Sequence, residues 1–206
     1  ADNHSRNRRL YEELVAKIDI AKENVHAPKL TEVHDSNYVT EFCAKYDEMA
    51  SGLDLLIMGT GEKGQIGFNE AGSYSNSKTR MVALSNASIQ EEASAFASIK
   101  DVPTKAITMG IGSIMKAERI IVMAWGEDKA DAVKKVAEDK ADASVPASLL
   151  QRHDNISMYV DENSASQITR NVAPWLVGPC EWTPKFIRKA VVWLCEQVHK
   201  PVLKLT

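Results

Sequence analysis

The residues best placed to do chemistry fall in one short loop, "GTGEKGQIGFNE", which runs from Gly59 to Glu70 directly after the apolar run "LDLLIM". Gly59, Gly61 and Gly64 have the G-x-G-x-x-G spacing of a dinucleotide site. That site needs a helix opening at its third glycine and a carboxylate about 20 residues later to hold a ribose. Here Gly64 is followed by "QIGFNEAGSYSNSKTR", rich in glycine, asparagine and serine, and the later position falls in "MVALSN", which has no acid. The context therefore argues against a nucleotide. What remains is Phe68-Asn69-Glu70, where a carboxylate on a loop at a sheet edge can exchange protons. A solvated loop closed by an Asx-type turn accounts for the same residues.

Anion binding is the second chemistry the spacing allows. Ligands of open parallel sheets bind beyond the carboxyl ends of strands, where helices begin and their first N–H groups are unpaired. Three such ends carry glycine: Gly59-Thr60-Gly61, Gly110-Ile111-Gly112, and Gly126, the last with Lys129 in the first turn of the helix that follows. A lysine there opposes the helix dipole. A phosphate touching both its ammonium group and the backbone N–H groups would resolve the conflict, and so would plain solvation of Lys129.

Other chemistries find little support. His4, His26, His34, His153 and His199 are scattered, with no i, i+4 pair beside a carboxylate, so no metal site is expected. No G-x-S-x-G elbow is present. A net charge of −3 and basic runs no longer than two residues exclude a nucleic-acid backbone as an expected partner. Cys43, Cys180 and Cys195 are odd in number and form no C-x-x-C pair, which points to a reducing, cytoplasmic setting. No apolar run approaches the ~20 residues that span a bilayer, so no membrane partner is expected.

These loops need a scaffold, and the patterning predicts an α/β one with a mainly parallel, Rossmann-like sheet and flanking helices. "LDLLIMG", "KAITMG", "RIIVMAWG", "ISMYVD" and "APWLVG" read as strands, the first as one buried on both faces. Helical periodicity predicts helices over 6–18, 36–49, 128–138 and from 162 to the "ITRN" stretch. The last helix starts at Pro184 behind an N-cap Thr183 and ends before Pro201, with Trp193 and Cys195 read as packing residues beside its apolar stripe. With 206 residues, 44% of them hydrophobic, a single domain over 1–206 is expected, with 173–206 forming a C-terminal strand-helix extension.

Taken in order, "GTGEKGQIGFNEAGS", "SKTRMVALS", "VPTKAITMGIGSIMKAERIIVMAWGEDKA" and "VPASLLQRH" resemble the glucosamine-6-phosphate deaminase (glucosamine-6-phosphate isomerase) family from about His4 to Asp161. The tail from Pro174 is similar to the segment that joins longer bacterial members to a deacetylase-like domain. The resemblance implies conversion of glucosamine 6-phosphate and water to fructose 6-phosphate and ammonium in amino-sugar catabolism, no cofactor, and a homo-oligomer. It implies that Gly59, Gly61, Gly64 and Asn69 belong to the substrate loop, that Lys129 in "GEDKA" holds phosphate, and that Glu70 is an acid-base residue. It also matches Arg80, with Ser73, to an effector site of some members, whose neighbouring lysine is replaced near Val82.

The departures from the pattern bear on catalysis. The family loop usually carries Asp and His where this chain has Lys63 and Gln65, and an amide cannot carry a proton to a ring oxygen. The family's first strand, its Ser/Gly-rich phosphate loop and its Asp-Glu-Tyr segment with the proton-transfer base precede the matched region, and an arginine anchor is replaced at Ser94. The expectation is thus an N-terminally incomplete deaminase domain with an incomplete catalytic site. A non-catalytic sugar-phosphate-binding or assembly module is the alternative, followed by a 6-phosphogluconolactonase-like hydrolase.

Overall fold

The computed structural model describes residues 6–28 and 36–204; His4 and His34 lie outside them. The first helix, α1, covers Arg6–Glu13 and breaks into a 3-10 turn at Val15–Lys17, shorter than the expected 6–18. Helix α2, Ser36–Met49, has the predicted bounds. Val39, Cys43 and Asp47 recur every four residues and are its buried positions.

Strand β1 (Leu55–Gly59) leads into the glycine loop; β2 (Arg80–Ala83), helix α3 (Asn86–Glu92), β3 (Lys105–Thr108) and the one-turn helix α4 (Ile111–Ile114) follow. Then come β4 (Arg119–Ala124), α5 (Ala130–Glu138), β5 (Ile156–Val160), the short α6 (Thr169–Val172) and α7 (Pro184–Val198). The fold is mixed α/β with a largely parallel, Rossmann-like sheet. Its order is β1-β4-β5, with β4 and β5 parallel in the register Ile120↔Ile156 to Ala124↔Val160. Strands β2 and β3 form a separate antiparallel pair, so "KAITMG" is a strand but not a parallel one.

By its contacts the chain forms two compact units, Ala1–Leu56 with Gly67–Arg119, and Ile57–Ile66 with Ile120–Thr206. In the first, Asp47 is buried and accepts the Thr79 N–H at 3.0 Å, the Thr79 hydroxyl at 2.6 Å and the Ser113 hydroxyl. Burial pushes its carboxyl pKa up, but these donors and the charge of Lys116 outweigh that, and the pKa lies below that of a solvated aspartate. Ser77 closes the same unit on α4: its hydroxyl accepts the Ile111 N–H and its carbonyl the Gly112 N–H, both at 2.9 Å. A Cβ on Gly110 would overlap the Ser77 backbone. The second unit buries Ile120, Val122 and Ala124 of β4 beside Ala130, Val133 and Val136 of α5 among its core residues.

Three expectations need correction. "APWLVG" is a 3-10 turn at Pro174–Leu176, because Pro174 starts a short helical turn instead of joining a ladder. The extension over 173–206 is therefore turn and helix, with Thr183 capping α7 through the Phe186 N–H and Trp193 stacked edge-on at 5.8 Å against Trp175. The helix expected from 162 is ordered as a helix only at Thr169–Val172, since Asp161 and Ser164 bond each other's backbone and make a turn instead. Finally, β1 is an edge strand among the described residues, so Leu55 and Ile57 are 46% and 55% exposed and not buried on both faces.

Candidate active site

After β1 the chain makes a tight loop. Thr60 and Ile66 form an antiparallel bridge, the Gly61 N–H donates to the Gln65 carbonyl at 2.9 Å and the Gly64 N–H to the Gly61 carbonyl at 3.0 Å. Gly64 has φ +71° and enters a turn, not a helix, which removes the dinucleotide reading on geometry as well as on sequence. A side chain on Gly64 would also overlap Val145, and Ala147, two residues further on, donates its N–H to the Gly64 carbonyl at 2.8 Å. The glycines thus let this loop close on itself and on the "VPASLLQRH" segment.

Gln65 is built into that loop. Its Oε1 accepts the Lys63 backbone N–H at 3.0 Å, and its amide covers Gly61 so closely that a Cβ there would overlap it. The Lys63 side chain is exposed. Lys129 precedes α5 in a 3-10 turn (Glu127–Lys129) that starts at Gly126, φ +92°. The Gly126 N–H donates to Asp161 Oδ1 at 3.1 Å, so the end of β5 sets the turn at the end of β4. The Lys129 ammonium, 20% exposed by side chain, pairs with Asp128 at 2.6 Å and Glu62 at 3.7 Å. The Asp128 carboxyl is pulled below its ordinary pKa chiefly by its hydrogen bond to Lys129. Sequence reading missed Glu62 as a partner of Lys129; its position two residues before Gly64 gave no sign of it.

In the other unit, Asn69 is wholly buried: its Nδ2 donates to the Met109 carbonyl at 2.7 Å and its Oδ1 accepts Arg80 Nη1 at 3.0 Å. Arg80 also reaches Ser73 Oγ at 3.4 Å and the Lys78 carbonyl at 3.3 Å. Burial lowers the guanidinium pKa from its usual value, and these acceptors are what keep the charge tolerable. Ser73 donates back to the Glu70 carbonyl at 2.7 Å, and Glu70 Oε1 accepts the Ser85 N–H at 3.1 Å. So Asn69, Ser73 and Arg80 form one network around the backbone of Glu70. Both ends of the Asn69 amide are hydrogen-bonded within the protein, one to Arg80 and one to the Met109 carbonyl. Ser94 is exposed in a 3-10 turn (Ala93–Ala95) after α3.

The Gly110-Ile111-Gly112 end is occupied by Ser77, so its first N–H groups are already satisfied. Among the described residues no three His, Cys, Asp or Glu side chains gather as metal ligands, and no helix is long and apolar enough to cross a membrane. Cys43, Cys180 and Cys195 are free thiols.

With this geometry in hand, residues 1–158 match the family described as glucosamine-6-phosphate isomerases/6-phosphogluconolactonase. The chain belongs to this family. A glucosamine-6-phosphate deaminase-like protein of Bacteroides thetaiotaomicron is 41% identical over 200 residues, 96% of this chain and 30% of that protein. A glucosamine-6-phosphate deaminase of a Thermoanaerobacter species is 41% identical over 154 residues, 73% of this chain and 59% of its own length. The chain thus spans less than two thirds of these curated relatives. Among solved structures, a monomeric glucosamine-6-phosphate deaminase superposes with a TM-score of 0.75 at 31% identity, over 80% of this chain and 68% of that one.

Proposed function

We propose that this chain carries the sugar-phosphate-binding scaffold of a glucosamine-6-phosphate deaminase and only part of its acid-base machinery. The observation that carries this reading is the Gln65 amide, held in the loop by the Lys63 N–H where the reaction needs a proton carrier. Glucosamine 6-phosphate and water would give fructose 6-phosphate and ammonium. Glu70 is the titratable group retained in the loop, and the Ser85 N–H bond fixes one of its oxygens. Gln65 contacts the ring oxygen as a hydrogen-bond donor, and Lys129 meets the phosphate. The carboxylate that shifts the proton between C2 and C1 has no candidate among these assignments.

General acid-base help contributes roughly 10²–10⁴-fold, so its loss at Gln65 predicts slow ring opening even with bound sugar. The test is ammonium release from glucosamine 6-phosphate together with calorimetric binding of fructose 6-phosphate. Binding with negligible release supports the proposal. Turnover within tenfold of a typical ~10 s⁻¹ enzyme overturns the incomplete-site reading. The second reading, a non-catalytic sugar-phosphate module, draws on the pairing of Lys129 with Asp128 and Glu62, which leaves its charge partly spent. It differs in one outcome: restoring His and Asp at positions 65 and 63 would then produce no ring-opening activity.

A further inference from the structure

A groove of about 1090 Å³ lies along α2 in the unit that holds Asn69 and Arg80, at the upper end of small-ligand pockets. One wall is a stripe along α2, Ser36–Met49, about 20 Å long at 1.5 Å per residue, with Ser51 in the turn beyond it. Val39 and Cys43 form its apolar base, and Met81 of β2, 38% exposed, faces the space from the other wall. Lys78, Lys105 and Lys116 add exposed ammonium groups. The carboxylates that line it are Asp47, already satisfied by Thr79 and Ser113, and Glu48. With Lys78, Arg80, Lys105 and Lys116 against Asp47 and Glu48, the groove carries excess positive charge on a chain whose net charge is −3.

The cations are spread and not convergent. Lys105 pairs across the ladder with Ala83 at one end of β2, and Lys78 lies two residues before its other end at Arg80, so the strand's whole length, roughly 10 Å, separates them. One phosphate group cannot meet both. We propose that this groove docks an acidic amphipathic helix of a partner protein, with apolar anchors seated on Val39, Cys43 and Met81 and carboxylates along the lysines. Helix-in-groove recognition reads i, i+3/i+4, i+7 anchors, and a groove of this length takes about four turns.

The test uses two labelled peptides of about 16 residues that share leucines at i, i+4, i+7 and i+11, one filled with glutamate and the other with lysine. Fluorescence anisotropy should show the acidic peptide binding at least ~10-fold tighter, with affinity falling as salt rises. The triple variant Lys78→Glu, Lys105→Glu, Lys116→Glu, checked for its native circular dichroism and melting, should invert that preference. Lys105→Glu alone is the fallback if the triple variant does not fold, and it should weaken the acidic peptide several-fold. Equal binding of the two peptides, binding of neither, or unchanged binding to the folded variants overturns the proposal. So does displacement of the peptide by inorganic phosphate, which would make this a small-anion site, or a dimer in light scattering that charge reversal dissolves, which would assign the groove to a second copy.

Discussion

Gln65 Oε1 accepts the Lys63 backbone N–H at 3.0 Å, so the side chain proposed to meet the ring oxygen is also part of the loop's backbone wiring. A histidine there gives up that acceptor role: with its Nδ1–H donated to an aspartate at position 63, Nε2 is left to take up and return a proton. Gln65→His with Lys63→Asp is expected to speed anomer interconversion of glucosamine 6-phosphate, followed by NMR exchange, by at least ~10-fold. This reports ring opening alone and needs no proton-transfer base. No change at saturating sugar would favour the non-catalytic sugar-phosphate module.

Lys129 gives a pair of opposed expectations. Charge-assisted hydrogen bonds contribute roughly 1.5–3 kcal/mol, so Lys129→Ala should weaken fructose 6-phosphate by about ten-fold or more. Glu62 sits 3.7 Å from the same ammonium and competes with a phosphate for it. Glu62→Gln should therefore tighten binding several-fold, an effect that shrinks at high salt. Titration calorimetry of the three proteins decides the matter; identical affinities would return Lys129 to a surface role.

Asp47 makes acid sensitivity predictable in sign. Its folded-state pKa lies below the unfolded value, so the stability it contributes is complete above about pH 4 and is lost as pH falls through the folded pKa. Asp47→Asn should flatten the fall of melting temperature on acidification below that pH, while lowering stability at pH 7. Asp47→Ala leaves the Thr79 N–H and two hydroxyls unsatisfied. At roughly 1–3 kcal/mol for an unsatisfied buried group, it should lower the melting temperature by several degrees. Equal acid profiles for wild type and Asp47→Asn would show that other carboxylates set the response.

The sequence disclosed α2 and α7 nearly to the residue, because each has a complete apolar stripe and α7 has Thr183-Pro184 as a start signal. For the loop, residue type raised an expectation of acid-base chemistry, with Lys63 and Gln65 as departures from the family pattern. The sequence did not disclose β2, since "RMVA" is only four residues long, nor the antiparallel sense of β3, which depends on pairing across the 21 residues from 84 to 104. An apolar run cannot tell an edge strand from a central one, so the exposure of Leu55 and Ile57 was invisible. Nor could spacing reveal that Asn69 is committed to Met109 and Arg80, because those partners lie 40 and 11 residues away.

The last prediction separates two glycines that look alike in sequence. At Gly61 an added Cβ would meet the end of the Gln65 side chain, which can swing aside at the cost of its bond to the Lys63 N–H. At Gly110 it would meet the Ser77 backbone, and Ser77 also holds the N–H groups of Ile111 and Gly112. Backbone cannot move there without breaking both bonds. Gly110→Ala should thus cost about 1–3 kcal/mol or more by overpacking and lower the melting temperature by several degrees. Gly61→Ala should leave the melting temperature within about 2 °C. It should nevertheless alter sugar-phosphate affinity, because the displaced amide is the one placed on the ring oxygen. If Gly61→Ala proves the more destabilising of the two, Gln65 is held far more firmly than one hydrogen bond provides, and its role in the loop is structural before it is chemical.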